Sequence, residues 1–385
     1  MNHLNKVLLS AATALSLSPW MVPARAASVD NLEQRVQNLE QQLDATVTAM
    51  ESGEAADRSN KNRIHIGGYG ELHYNNLRTT TAGVKSRSRD IDFHRFVLFF
   101  GYDFTDRIRL VSELELEHSV AGESENGEVD LEQAYVEFDL NDHQRAKGGL
   151  FLVPVGILNE THEPPAFYGV TRNPIETNII PSTWWEAGGA LSGELAPGWS
   201  YDVALHSGLN TTDGDIRGGR QEVSEATANN GAVTGRLKFT GVPGTELAAT
   251  LQSQSDITQG AGVEQESALL TEVHAIHTTG PFTIKALYAL WNIDGAARKA
   301  AGNDEQYGFY LEPSWKINRQ LGVFARFNQW DNTPNSAADT EEKQTNIGFN
   351  YWPHEDIVLK FDIEDYSRGT TDREGFNAGI GFQFH

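Results

Sequence analysis

The sequence has 385 residues and no cysteine, with 30 Lys and Arg against 53 Asp and Glu for a net charge of −23. Without cysteine neither disulfides nor thiol chemistry are available to it. A surface this acidic excludes nucleic acid as a partner.

The first 26 residues, MNHLNKVLLSAATALSLSPWMVPARA, carry Lys6, a short apolar run from Val7 to Ser18, and the small-x-small triplet Ala24-Arg25-Ala26. That pattern predicts a secretory signal peptide over 1–26, too short to span a bilayer as a helix. Removing it leaves 28 basic residues against the 53 acids, a net charge of −25. In the segment 27–51, Val29, Leu32, Val36, Leu39, Leu43 and Met50 fall at alternating spacings of three and four, with Thr46 the polar gap. This predicts a short coiled-coil helix, and a seam of about three heptads needs partners to be stable. Residues 52–62, SGEAADRSNKN, are polar and free of aromatics, and predict a linker.

From 63 to 385 the apolar residues follow a period of two. In RIRLVSELELEH (107–118), Ile108, Leu110, Leu114 and Leu116 alternate with Arg109, Glu113, Glu115 and Glu117. In DIVLKFDIE (356–364), Ile357, Leu359, Phe361 and Ile363 alternate with Lys360, Asp362 and Glu364. Such stretches predict strands with one apolar face. They recur near 63–74, 90–103, 107–118, 128–140, 145–153, 184–195, 199–207, 231–240, 245–256, 266–278, 281–292, 303–315, 320–330, 342–352, 355–366 and 374–384, which makes 16. Short turns (TDR, NDHQ, APG, GVPG, TG, INR, PH) alternate with longer polar loops at 75–89, 119–127, 154–183, 208–230, 257–265, 293–302, 331–341 and 367–373. Sorting of connections by length predicts an all-β fold: a 16-stranded antiparallel transmembrane β-barrel preceded by the short N-terminal coiled-coil helix. An even strand number puts both termini at the short-turn end, which in an outer-membrane barrel faces the periplasm.

Phe104, Trp199, Phe282, Trp315 and Trp352 stand beside short turns, where an interfacial girdle is expected. The last stretch alternates Phe376, Ala378, Ile380, Phe382 and Phe384 before His385, resembling the terminal strand of outer-membrane proteins. Outer-membrane lipid and lipopolysaccharide are therefore expected around the barrel, with peptidoglycan within reach of the N-terminal helix.

The segment RNPIETNIIPSTWWEAGGALSG (172–193) holds two prolines, two adjacent tryptophans and three glycines. Pro174 and Pro181 lack backbone donors, so 172–183 cannot be barrel wall. It is expected to end a loop, 154–183, that folds inward and narrows the lumen. Trp184 and Trp185 would anchor its return, and Gly188 and Gly189 would admit a close backbone.

Several segments resemble the phosphate-selective porin O and P family. DFHRFVLFFGYDFTDRIRLVSELELE (92–117) resembles its second and third strands and LEQAYVEFDL (131–140) its fourth. GGLFLVPVGILNE (148–160) and IIPSTWWEAGG (179–189) resemble the two ends of its inward loop. The resemblance implies a trimeric, 16-stranded diffusion channel. Phosphate selectivity does not follow from it here. Residues 63–385 hold 46 acids against 25 bases, and Leu150 and Leu152 occupy positions where that family often has polar or basic residues. One basic cluster is present: Lys85, Arg87, Arg89 and Arg95, with Arg107 and Arg109 nearby. Arg95 and Arg109 either form a local anion track or pair with acids across strands.

The expected function is passive diffusion of small hydrophilic solutes or ions. Candidates for the pore lining or constriction are Arg95, Arg109, Glu113, Glu115, Glu117, Glu137, Lys147, Glu160, His162, Glu163, Arg172 and Glu176. The alternatives are a non-conducting surface receptor, adhesin or cell-wall tether, or a hydrolase using Ser182 with His162, or His118 with a serine. No G-x-S-x-G elbow surrounds these residues. His274 and His277 are three apart on a strand, so they point to opposite faces and cannot share a metal. Neither an enzyme, a cofactor nor a metal site is predicted.

Overall fold

The computed structural model describes residues 63–262 and 264–385. The predicted signal peptide, coiled coil and linker (1–62) lie outside the described residues. Sixteen strands follow one another: β1 (Ile64–Thr81), β2 (Val84–Thr105), β3 (Ile108–Glu117), β4 (Val129–Asn141), β5 (Gln144–Leu152), β6 (Trp185–Ala196), β7 (Trp199–His206), β8 (Ala232–Phe239), β9 (Thr245–Gln254), β10 (Ser267–Thr279), β11 (Phe282–Asp294), β12 (Glu305–Lys316), β13 (Leu321–Asp331), β14 (Glu342–His354), β15 (Ile357–Arg368) and β16 (Thr371–Phe384). Two short helices, α1 (Ile175–Asn178) and α2 (Ala296–Ala301), sit in the longer loops.

Each strand pairs antiparallel with its sequence neighbour, and β16 pairs with β1 from Gly68–Phe384 to Thr81–Thr371. The sheet is closed, so no strand edge is left unpaired. The alternation seen in the sequence sets the two faces. Leu98, Leu114, Leu131, Phe138, Val203, Leu251, Leu311, Ile347 and Ile380 are exposed on the outside, while Glu113, Glu115, Gln252, Glu272, Asn328, Asn346 and Asp362 are buried inside. Of the expected girdle, Trp199 packs on Phe239 and Trp315 on Phe282 at the short-turn end, and Phe104 is exposed beside Tyr102. Trp352 departs from it. Its neighbour Asn350 faces inward, and Trp352 is buried against Tyr168 of the inward loop, with Lys316 Nζ 3.8 Å from its ring centroid.

Two of the predicted long loops, 75–89 and 367–373, are strand. β1 and β2 continue to a two-residue turn at Ala82 and Gly83, both with positive φ (48° and 84°), the geometry of a tight hairpin. β15 and β16 likewise leave only residues 369 and 370 between them. Above the apolar belt both faces of these strands carry polar side chains, so no apolar stripe marks them in the sequence.

The lumen is not uniformly polar. Inward residues Ala268, Leu270, Leu287, Ala289, Trp291, Ile293, Tyr310 and Trp330 of β10–β13 form a buried apolar cluster with Val153, Val155, Ile175, Ile179, Ile180, Leu209 and Ile216 from two infolded loops.

Candidate functional site

The segment between β5 and β6 crosses the barrel. In a ring of sixteen, β13 lies opposite β5, and the loop reaches it: Arg326 of β13 donates to the carbonyls of Tyr168 and Thr171, at 3.2 Å each. Asn350 of β14 donates to the Phe167 carbonyl (2.9 Å), and the Val170 N–H donates to Asp362 of β15 (2.8 Å). On the other side Trp291 donates to the Ile179 carbonyl (2.9 Å). The polar inner wall thus satisfies loop carbonyls that would otherwise be stranded in the interior.

Glu176 braces this loop. It is fully buried, and its carboxylate accepts the backbone N–H groups of Ile157 and Leu158 at 2.6 Å each and the Asn173 amide at 2.8 Å. Gly156, at φ 71°, lies so close that a Cβ there would stand 2.4 Å from Glu176 Oε1. Burial raises the Glu176 carboxyl above the usual carboxylate range. Expected as a constriction charge, Glu176 is instead a bracket between two parts of its own loop. The tryptophans anchor the return: Trp184 is wholly buried, its indole donating to Glu186 (2.8 Å), and Trp185 begins β6. A Cβ at Gly188 would meet the Leu205 carbonyl at 2.0 Å, whereas at Gly189 its nearest contact would be an ordinary 3.6 Å.

A second loop, residues 207–231, also folds in, which its polar composition did not announce. Arg217 donates to the carbonyls of Thr177 (3.0 Å) and Ser182 (3.1 Å), and Arg220 to that of Thr183 (2.5 Å). Burial, with Arg220 beside it, lowers the Arg217 guanidinium to about 10, so it stays cationic at neutral pH. Leu209 and Ile216, isolated apolar residues in a polar stretch, are the signal that sequence reading passed over.

Between the two loops and β2–β4 lies a chamber of about 90 Å³, lined by Arg95, Arg172, Arg217 and Arg220 together with Glu117, Glu128, Asp130, Glu132 and Glu222. It shares Arg217, Arg220 and Glu222 with a wider cavity of about 820 Å³ bounded by Asn178, Asp213, Asn303 and Gln306. The remaining candidates are spread along the inner wall. Arg95 pairs with Glu71 (2.9 Å) and Glu115 (3.4 Å). Arg109 pairs with Glu137 (2.7 Å) and Asp139. In the β2–β3 register Arg95 faces Glu117, eight residues from Arg109 on β3, or roughly 27 Å along the strand. Each is thus paired with acids far from the other, and the two do not form one anion track. Lys85, Arg87 and Arg89 are exposed on the tall hairpin, and Arg107 is exposed beside a short turn. Lys147 lies about 5 Å above the rings of Tyr135 (5.2 Å) and Phe151 (5.0 Å). Glu160 pairs with Arg236 (2.6 Å), and Glu163 is half-buried. Arg172 donates to Thr183 (3.1 Å), while its Nε and Nη2 are buried without a partner. His162 faces Glu113 and Glu132 rather than Ser182. His274 is buried with Glu272 and Glu246, and His277 bonds Thr245 on an exposed face.

An uncharacterized protein of Aquifex aeolicus (strain VF5) is 30% identical over 360 residues, covering 84% of this chain and 80% of that one. The two chains belong to one family. No family model matches the sequence. Among solved structures, the outer-membrane channel DcaP of Acinetobacter baumannii superposes with a TM-score of 0.59 at 13% identity, over 83% of this chain and 97% of that one. An anion-selective porin from Comamonas acidovorans gives 0.59 at 12% identity, over 83% and 99%. The trimer form of OmpT from Vibrio cholerae gives 0.54 at 10%, over 84% and 100%. These likenesses show the fold, a 16-stranded barrel of the Gram-negative porin type.

Proposed function

We propose that the protein is an outer-membrane porin, admitting small hydrophilic solutes or ions by passive diffusion down their gradients. The observation that carries this reading is the charged chamber where two infolded loops meet the wall, joined by shared residues to a wide cavity. The apolar outer band suits lipid, and sixteen strands enclose a lumen that wall side chains alone do not fill. The loops supply the narrowing. At about 90 Å³ the chamber holds several waters, a size that favours small ions and compact solutes.

Four guanidinium groups and five carboxylates line it, so its charge is mixed rather than of one sign. Weak selectivity with a slight cation preference follows. Phosphate selectivity, suggested by the segments that resemble the O and P family, has no one-signed basic surface to rest on. The proposal extends to self-association as a trimer, to an N-terminal coiled coil in the periplasm, and to contact with lipopolysaccharide outside and peptidoglycan within.

Planar-bilayer recording of the purified protein tests it. Stepwise current, and a reversal potential in a KCl gradient of small magnitude and cationic sign, are expected. Absence of steps would remove the channel reading and leave a non-conducting barrel.

A further inference from the structure

We propose that Glu113, Glu132 and His162 bind a divalent first-row transition ion, with Zn²⁺ as its probe, and that the ion ties the inward loop to the β3–β4 wall. His162 belongs to the loop, Glu113 to β3 and Glu132 to β4. The register shifts beside Glu113: Glu113 opposes Gln133 and Leu114 opposes Leu131, leaving Glu132 as the extra residue of a bulge. That bulge brings the Glu132 carboxylate to the same side as Glu113.

His162 Nδ1 lies 3.0 Å from the Asn159 carbonyl oxygen, which can only accept, so Nδ1 carries the hydrogen. In the neutral ring Nε2 then bears a lone pair. It stands 3.4 Å from Glu113 Oε1 and 3.7 Å from Glu132 Oε2. His162, Glu113 and Glu132 are 3%, 1% and 1% exposed, and none of these three atoms has a hydrogen-bond partner. Three buried lone-pair atoms converge with no hydrogen bond to any of them, although the buried Tyr69 ring packs edge-on against His162, and such an arrangement calls for a cation. Of the cations that share the chamber with Glu132, Arg95 is engaged by Glu71 and Glu115, and Arg172 donates to Thr183 and forms no salt bridge among the described residues.

Spacing separates a metal from a proton held on His162 Nε2. A proton on Nε2 would draw one carboxylate to about 2.7–2.9 Å. Donors about 2.0–2.2 Å from a tetrahedral ion stand about 3.3–3.6 Å apart, close to the two spacings from Nε2, and the ligand atoms of all three residues lie within 4.8 Å of one another. One imidazole with two carboxylates suits Zn²⁺ and its neighbours better than Ca²⁺ or Mg²⁺, which take oxygen alone. Outer partners are in place: Gln133 Nε2 donates to Glu113 Oε2 at 2.6 Å, and Asn159 fixes the imidazole. Glu132 also lines the small chamber, which gives the ion a way in. A second grouping, Asp92, His94 and His118, has its His Nδ1 atoms already hydrogen-bonded to Asp92, and serves as a control.

The full-length protein, stripped with EDTA and shown to be folded by heat-modifiable gel migration, is titrated with Zn²⁺ by calorimetry. One Zn²⁺ per chain is expected. His162→Ala and Glu132→Gln should each weaken it by more than about 100-fold, beyond the roughly 10–100-fold typical of outer-shell partners. His118→Ala should leave the affinity unchanged. Co²⁺ in the wild-type protein should show the visible bands of a low-coordinate site, absent in the near-isosteric Glu132→Gln. No binding by the wild type, binding that survives His162→Ala, binding lost with His118→Ala, or equal competition by Ca²⁺ would each overturn the proposal. Stoichiometry is read without a bilayer, so this outcome is independent of whether the protein conducts.

Discussion

Replacing Glu176 with alanine should loosen the inward loop without unfolding the barrel. The substitution strands two buried backbone N–H groups, those of Ile157 and Leu158, and the Asn173 amide. Each buried orphan donor costs about 1–3 kcal/mol, so the closed loop loses about 3 kcal/mol at least, on the order of a 100-fold rise in its opening equilibrium. The strand ladder is untouched, because none of its bonds passes through Glu176. Hydrogen–deuterium exchange should therefore accelerate by about that factor across 153–184, with the strand amides unchanged. Single-channel current in Glu176→Ala should be larger and noisier. Glu176→Gln retains an acceptor oxygen and should fall between, with its KCl reversal potential unmoved. Loop amides as protected in Glu176→Ala as in the wild type would refute the bracket. A reversal potential displaced by Glu176→Gln would return the residue to the constriction.

Arg172→Gln removes a guanidinium with two unpartnered buried nitrogens from the chamber wall. A Coulomb term of about 1 kcal/mol at close range should raise cation preference about fivefold, read from the reversal potential. Gly188→Ala should lower the temperature of heat-modifiable unfolding, costing about 1–3 kcal/mol, because its Cβ collides with the Leu205 carbonyl; Gly189→Ala should be neutral. Deleting residues 29–50 should reduce the fraction of the proposed trimer that survives heating, read by analytical ultracentrifugation; an unchanged trimer would assign assembly to the barrel alone.

The wall was legible because lipid and water impose opposite demands on alternate residues, as in Leu114 beside Glu113 and Glu115. All sixteen strands fall where the alternation put them. It failed where that contrast ends. The polar tips NNLRTTT and VKSRSRD have both faces in water, and strand there has no periodic signature. Within the site, a carboxylate's sequence position did not tell a bracket from a lining charge. Glu176 and Glu163 look alike in the chain, but only Glu176 meets Ile157 and Leu158. The second loop was hidden because its two apolar anchors, Leu209 and Ile216, are spaced without a period. The grouping of His162 with Glu113 and Glu132 joins a loop to a bulge, a juxtaposition that depends on register.

The apolar cluster inside the ring bears on how the molecule is made. Val153, Ile175, Ile179 and Leu209 are sealed behind a wall that is complete only when β16 meets β1. A cylinder closed first would enclose water against Leu270, Leu287 and Trp291, and the loops would then have to thread in through a finished rim. Insertion of the loops therefore belongs before or alongside closure of the seam, and the last strand of the chain acts as a fastening drawn over contents already packed.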